Sequence, residues 1–282
     1  METSHRYRTI WISDFHLGMK ACRTSYLLDF LRHNESEVLY LVGDIFDGWA
    51  LARSWFWAQK HNDVIQKLLR KARKGTRVVY LPGNHDEFAR DYVGLSFGEV
   101  VIKDEVIHVT ADGRRLVVLH GDNFDGVIRH ARWISLLGAK VYRGLLQLNR
   151  LVNSVRRLFG MPYWSLAGYL KHKTKRAVQF IADFESAMAN VAQSQNADGV
   201  VCGHIHYAEM RDVGNIQYFN CGDWVESCTA LVEHFDGTME LVRWARIDHP
   251  SRGIRPRYQQ GDGQATRIPI ISLPVAHAGT AR

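Results

Sequence analysis

A layered α/β fold, two stacked sheets with helices outside (α/β/β/α), is what this sequence predicts, and three observations predict it. Short apolar runs alternate with stretches of helical periodicity. Five of the runs end in Asp, Asn or His, as though one edge of a sheet carried a site. The last runs follow one another across a turn at Asp236-Gly237, as hairpin strands of a second sheet do.

Residues 8–12, β-branched and aromatic, form the first expected strand, which ends in Ser13-Asp14-Phe15-His16. An Asp and a His two positions apart on a loop can both turn toward one ion. Thr24 is expected to cap a helix reaching residue 32, with Tyr26, Leu27, Phe30 and Leu31 as its inward stripe. The apolar run 39–42 then enters a turn at Gly43 and delivers Asp44 and Asp47 together at a strand end. Two carboxylates there repel each other unless a cation lies between them, and one Asp can bridge two divalent ions. Taken alone, Gly-Asp-x-x-Asp is equally a turn followed by a helix cap.

A helix over 54–74 is expected next, rich in Trp at its start and in Lys and Arg at its end, with Gly75 closing it. Strand 77–81 runs into Pro82-Gly83-Asn84-His85-Asp86. Strands 106–109 and 115–119 flank Asp112-Gly113 as a hairpin, and the second ends at His120-Gly121-Asp122. Residues 199–202 make a short strand ending in Gly203-His204-Ile205-His206, and 216–220, 229–234 and 239–244 read as antiparallel strands. From residue 249 the chain loses periodicity, and this tail is expected to be mobile and to hold no site. Each polar group alone has a mundane alternative: Asp14 as a helix cap, Asn84 as a turn residue, His120 as a satisfied core histidine, Gly-His-x-His as an exposed loop. Five such groups, each just after an apolar run, are far harder to reach by accident.

Composition narrows the class. No apolar run approaches the roughly 20 residues that cross a bilayer, and the polar start Met-Glu-Thr-Ser-His-Arg does not read as a signal peptide, so a cytoplasmic protein is expected. Cys22, Cys202, Cys221 and Cys228 lack Cys-x-x-Cys spacing, which points to reduced thiols. The net charge of +7 is local: residues 126–182 hold 11 of the 36 Lys and Arg and no Asp or Glu, so the remainder is slightly acidic.

In order, Asp14-x-His16, Gly43-Asp44-x-x-Asp47, Gly83-Asn84-His85-Asp86, His120 and Gly203-His204-x-His206 resemble the motifs of the calcineurin-like metallophosphoesterases, over residues 8–206. The resemblance implies one divalent ion held by Asp14, His16, Asp44 and His206, and a second held by Asp44, Asn84, His120 and His204, with Asp44 as the bridge. Carboxylate, amide and imidazole donors without thiolate suit Mn²⁺, Fe²⁺ or Zn²⁺, and Mn²⁺ is the expected cofactor. Ions about 3.5–4 Å apart can activate a water and clamp phosphoryl oxygens. His85 is expected to act on the phosphoryl group or protonate the departing oxygen, with Asp86 orienting it; a turn histidine bonded to Asp86 is the alternative. Asp47 and Asp122 are expected to orient ligands.

Residues 126–195 are expected as a helical lid between the two parts of a core, 1–125 and 196–248, followed by the tail, 249–282. Between 140 and 159, Val141, Leu145, Leu148, Val152, Val155 and Phe159 form one helical stripe, and Arg143, Arg150 and Arg157 another. An apolar face beside a basic one fits a greasy, anionic substrate at an acidic membrane leaflet, with peripheral association at the inner face of the cell membrane. A cap that packs on the sheet with its charges in water is the alternative. Asn84, His85, Trp133, Tyr142, Arg143, Arg150, Arg157 and Trp164 are the expected substrate contacts. Within the family the arrangement is most similar to UDP-2,3-diacylglucosamine hydrolases of lipid A synthesis, which implies water attack on the diphosphate, giving UMP and 2,3-diacylglucosamine 1-phosphate. Those enzymes commonly carry Arg after the ligand Asn, where this chain has His85. A phosphodiesterase or nuclease, or a phosphatase acting on another substrate, would use the same ions. The aromatics of 126–182 are mixed into apolar clusters instead of spaced for base stacking, so nucleic acid is not the expected partner.

Overall fold

The computed structural model describes residues 5–124, 175–244 and 270–272, together with Asn153, Arg156 and Phe159. The expected substrate contacts Trp133, Tyr142, Arg143, Arg150, Arg157 and Trp164 lie outside the described residues. In chain order the elements are β1 (His5–Ile12), α1 (Thr24–His33), β2 (Asn34–Val42), α2 (Gly48–Arg53), α3 (Gln59–Arg73), β3 (Arg77–Leu81), β4 (Ser96–Phe97), β5 (Val100–Ile102), β6 (Val106–Val109) and β7 (Arg115–Val118). After them come α4 (Lys175–Ser194), β8 (Gly199–Cys202), β9 (Glu209–Val213), β10 (Ile216–Asn220), β11 (Thr229–Glu233), β12 (Met239–Arg243) and β13 (Ile270–Ser272).

The strands form two mixed sheets, ordered β12-β11-β1-β2-β3-β5-β4 and β13-β6-β7-β8-β10-β9. Alternation along each strand sorts side chains into layers. Ile10, Ile12, Leu39, Leu41, Val78 and Tyr80 face outward, into a core completed by Leu27, Phe30 and Leu31 of α1 and Val64 and Leu68 of α3. Trp11, Tyr40, Val42, Val79 and Leu81 face inward, against Leu116, Val118, Val201 and Phe219 of the second sheet. The outer face of that sheet, with Val117, Val200, Cys202 and Tyr218, is covered by Ile181, Phe184, Met188 and Ala192 of α4. The expected α/β/β/α order results.

A polar clamp also joins the sheets. Glu233 Oε1 accepts from Arg8 Nη1 at 2.5 Å and from Ala111 N at 2.7 Å, while Oε2 accepts from Thr9 Oγ1 at 2.8 Å and His108 Nε2 at 2.9 Å. Tyr40 donates to His108 Nδ1 at 3.2 Å, which completes the network. All four cysteines are free thiols.

Four expectations are corrected. Thr24 does not cap α1: the cap position is Arg23, whose side chain makes no capping bond to the helix, and Thr24 is a buried first-turn residue. The helix expected over 54–74 begins only at Gln59, as α3, and a separate short helix, α2, ends before Ser54, because Ser54 and Ala58 are extended and Trp57 packs on Phe46 and His61, a tertiary contact that overrides local periodicity. The end of the segment expected as a lid is α4, whose apolar stripe forms the sandwich's fourth layer. The tail, expected to be mobile, contributes β13 along β6.

Parallel pairing of β1, β2 and β3, and of β7 with β8, matters most for function. It brings the carboxyl ends of all five strands, and the loops that follow them, to one edge of the sandwich.

Candidate metal centre

The five loops are tied by backbone bonds and by unusual backbone conformations. Asp14 N donates to Gly43 O at 3.0 Å and His16 N to Asp44 O at 2.9 Å, so the first two loops run side by side. Seven non-glycine residues among those described have positive φ, and five of them are Asp14 (55°), His16 (52°), Asp44 (54°), His204 (70°) and His206 (53°). Left-handed backbone disfavours L side chains, and its concentration at one site is a signature of function. Two glycines allow the close approach. A Cβ on Gly43 would lie 2.2 Å from His120 Nδ1, and one on Gly83 would lie 2.3 Å from Asp44 Oδ1 and 2.6 Å from His120 Nε2.

Two sets of donor atoms meet at Asp44. On one side His16 Nε2 lies 3.7 Å from Asp44 Oδ2, 3.9 Å from Asp14 Oδ1 and 3.1 Å from His206 Nε2, and His206 Nε2 lies 3.1 Å from Asp14 Oδ1. On the other, His120 Nε2 lies 3.5 Å from Asp44 Oδ1, and the ligand atoms of Asp44, His120 and His204 fall within 4.8 Å of one another. The two oxygens of Asp44 thus face two nitrogen sets, which is the geometry of a bridging carboxylate.

Divalent ions fit these residues. His120 Nδ1 donates to Val42 O at 2.8 Å and His16 Nδ1 to Asp47 Oδ2 at 3.2 Å, which leaves each Nε2 as the lone-pair nitrogen turned to the centre. His16 Nε2 and His206 Nε2 then face each other at 3.1 Å, with room for one proton or one cation between them. His120 Nε2 and Asn84 Oδ1 are buried without a hydrogen-bond partner among the described residues, the state of atoms awaiting a ligand. Burial opposes charge on His16, His120 and Asp44. Even so, Asp47, Asp44 and Asp14 push His16 up to about 9, and Asp44, Asp14 and Asp122 push His120 up to about 10. The imidazoles of His120, His16 and His85 hold Asp44 well below the ordinary carboxylate range. The cluster demands positive charge, and ions would supply it in place of those protons.

His85 lies at the edge of the centre. Its Nε2 is 4.0 Å from Asp44 Oδ2 and its Nδ1 is 3.1 Å from Asp47 Oδ1. The expectation that Asp86 orients His85 is corrected. Asp86 is fully buried and accepts from the backbone nitrogens of Asp44 (3.2 Å), Ile45 (2.7 Å), Phe46 (3.2 Å) and Gly83 (2.6 Å) and from Tyr80 Oη (2.6 Å). Those donors use its carboxylate to brace the loop that carries Asp44. Asp122, expected to orient a ligand, takes both its oxygens to Arg90 Nη2 at 2.8 and 2.9 Å.

Three neighbours went unread in the sequence. Trp49 lies over His85 with ring centroids 4.1 Å apart, Tyr80 supports Asp86, and Arg90 ties the Asn84 loop to the His120 loop. Only Trp49 carried a signal, its place two residues after Asp47.

A family model described as calcineurin-like phosphoesterase matches residues 7–208. A UDP-2,3-diacylglucosamine hydrolase of Vibrio atlanticus is 24% identical over 240 residues, covering 80% of this chain and 93% of that protein. A protein of the same name from Aliivibrio fischeri is 23% identical over 247 residues, covering 82% and 96%. Among solved structures, the phosphoesterase Yfce of E. coli covers 83% of this chain and 98% of its own, at 16% identity and a TM-score of 0.39.

Proposed function

The chain belongs to the calcineurin-like phosphoesterases, metal-dependent hydrolases of phosphoric esters, and from that membership we propose that it cleaves the diphosphate of a nucleotide-linked lipid. The substrate read for it is UDP-2,3-diacylglucosamine, hydrolysed to UMP and 2,3-diacylglucosamine 1-phosphate. Support comes from the name shared by its relatives and from the paired apolar and basic stripes of residues 140–159. The single observation that carries the hydrolase chemistry is Asp44, whose two oxygens face separate nitrogen sets.

Asp14, His16, Asp44 and His206 would hold one ion and Asp44, Asn84, His120 and His204 the other, with Mn²⁺ the proposed metal. When bound, such a pair supplies Lewis acidity to an attacking water and to the phosphoryl oxygens. His85 works from the edge. Its Nδ1 lies 3.1 Å from Asp47 Oδ1, so in the doubly protonated ring Nε2 is the atom that can pass a proton to the departing oxygen. Arg143, Arg150 and Arg157 are proposed to meet the diphosphate or an anionic leaflet, and Trp133, Tyr142 and Trp164 the acyl chains. Among the described residues no helix is long and apolar enough to cross a membrane, and peripheral attachment to the inner leaflet is the proposed mode.

The test offers Mn²⁺-loaded protein UDP-2,3-diacylglucosamine, UDP-glucosamine, a cyclic nucleotide and single-stranded DNA, and follows the phosphate-containing products. Turnover confined to the acylated diphosphate supports the reading. Equal turnover without acyl chains removes the lipid from it, and turnover of DNA that falls steeply with salt makes the chain a nuclease of the same fold.

A further inference from the structure

We propose that Trp49 is a specificity-determining residue that packs the pyranose ring of the departing sugar phosphate, with its indole laid on His85 and its free surface open beside the metal centre.

Trp49 lies in the first turn of α2, a helix that buries no residue and so adds nothing to the core. The helix is fastened instead to the catalytic loops. Ala50 N donates to Asp47 Oδ1 at 2.7 Å and Gly48 N to His85 O at 2.9 Å, and a Cβ on Gly48 would stand 2.7 Å from that carbonyl. The indole therefore follows His85. Their centroids are 4.1 Å apart, with the rings inclined at 36°.

Trp49 is 51% exposed and Phe88 53%, and the Phe88 ring would be 3.7 Å from the same Gly48 Cβ. Large aromatic surface left in water at the mouth of a site is costly unless a ligand covers it. The inference rests on the reading of His85 as the donor to the leaving oxygen. A group departing past His85 must then pass the indole. In the diphosphate reading that group is a sugar 1-phosphate, and a pyranose has a flat C–H face to lay on an aromatic ring. A glycerol phosphate has none.

Two ratios test this, in the Mn²⁺-loaded full-length protein and in Trp49→Ala and Trp49→Phe, with thermal unfolding checked for each. The first is the affinity for glucosamine 1-phosphate over glycerol 3-phosphate, measured by calorimetry. The second is kcat/KM for CDP-glucose over CDP-glycerol. Both ratios are expected to fall about tenfold in Trp49→Ala and to be kept in Trp49→Phe. An unchanged affinity ratio overturns the inference whatever the turnover. A fall in both selectivity ratios that Trp49→Phe shares with Trp49→Ala also overturns it, since a remaining flat ring should preserve the contact. If the affinity ratio falls but neither diphosphate is hydrolysed, the ring contact stands and the diphosphatase reading fails.

Discussion

Asp47 Oδ1 and His85 Nδ1 stand 3.1 Å apart, and the other oxygen of the same carboxylate takes the Nδ1 of His16 at 3.2 Å. One side chain thus orients a metal ligand and the proposed proton donor together, and also caps α2. Asp47→Ala should therefore lower kcat about 10²-fold and weaken metal affinity as well. His85→Ala should lower kcat without loss of metal. Metal titration run beside steady-state kinetics separates the two, and wild-type metal affinity in Asp47→Ala would show that His16 needs no such support.

Asp44 touches both donor sets, so Asp44→Ala should leave no measurable hydrolysis and reduce bound metal from about two ions per chain to one or none. Elemental analysis after chelation and reloading checks this. Two retained ions would contradict the bridge.

Asp86 accepts five hydrogen bonds, three of them from the backbone of the loop at 44–46. Removing its carboxylate leaves several buried backbone N–H groups unpaired, at a cost of about 3 kcal/mol or more. Asp86→Ala should show a lower urea midpoint with an unchanged slope, and a near-wild-type midpoint would mean that the loop finds other acceptors.

Stability should fall in acid through Glu233 and His108. Burial raises the Glu233 carboxyl, but bonds from His108, Thr9 and Ala111 outweigh it, and its pKa ends below the ordinary 4.5. A depressed folded pKa gives stability that is present above 4.5 and lost as pH falls through the folded value. Burial likewise lowers His108 from 6.5, so its share begins to fade below that pH. Glu233→Gln should flatten the dependence below about pH 4.5 and cost about 3 kcal/mol at neutrality. Urea denaturation from pH 3 to 8 is the measurement, and parallel curves for both proteins would exclude Glu233 as the source.

Much of the centre was legible before any coordinates. Asp14, Asp44, Asn84, His120 and His204 each follow an apolar run, because parallel strands must end on one edge and an edge is where polar groups can converge. The edge strand β9, Glu209–Val213, was not legible, since an edge strand without a buried face shows no alternation. Nor was the role of α4. Its stripe of Ile181, Phe184 and Met188 is the same whether a helix covers a sheet or a ligand.

The loops that bear polar residues and the chemistry of their donors were determined by the sequence alone, because apolar runs, turn glycines and residue type are local properties. Which carboxylate meets which histidine was decided only by the tertiary structure. His85 lies next to Asp86 in the chain, yet Asp86 turns to the backbone at 44–46 and Asp47, 38 positions away, faces the imidazole. The pairing of β2 with β3 sets that choice. It brings the two loops together, and with the donors already gathered around Asp86 it is Asp47 that faces His85 Nδ1.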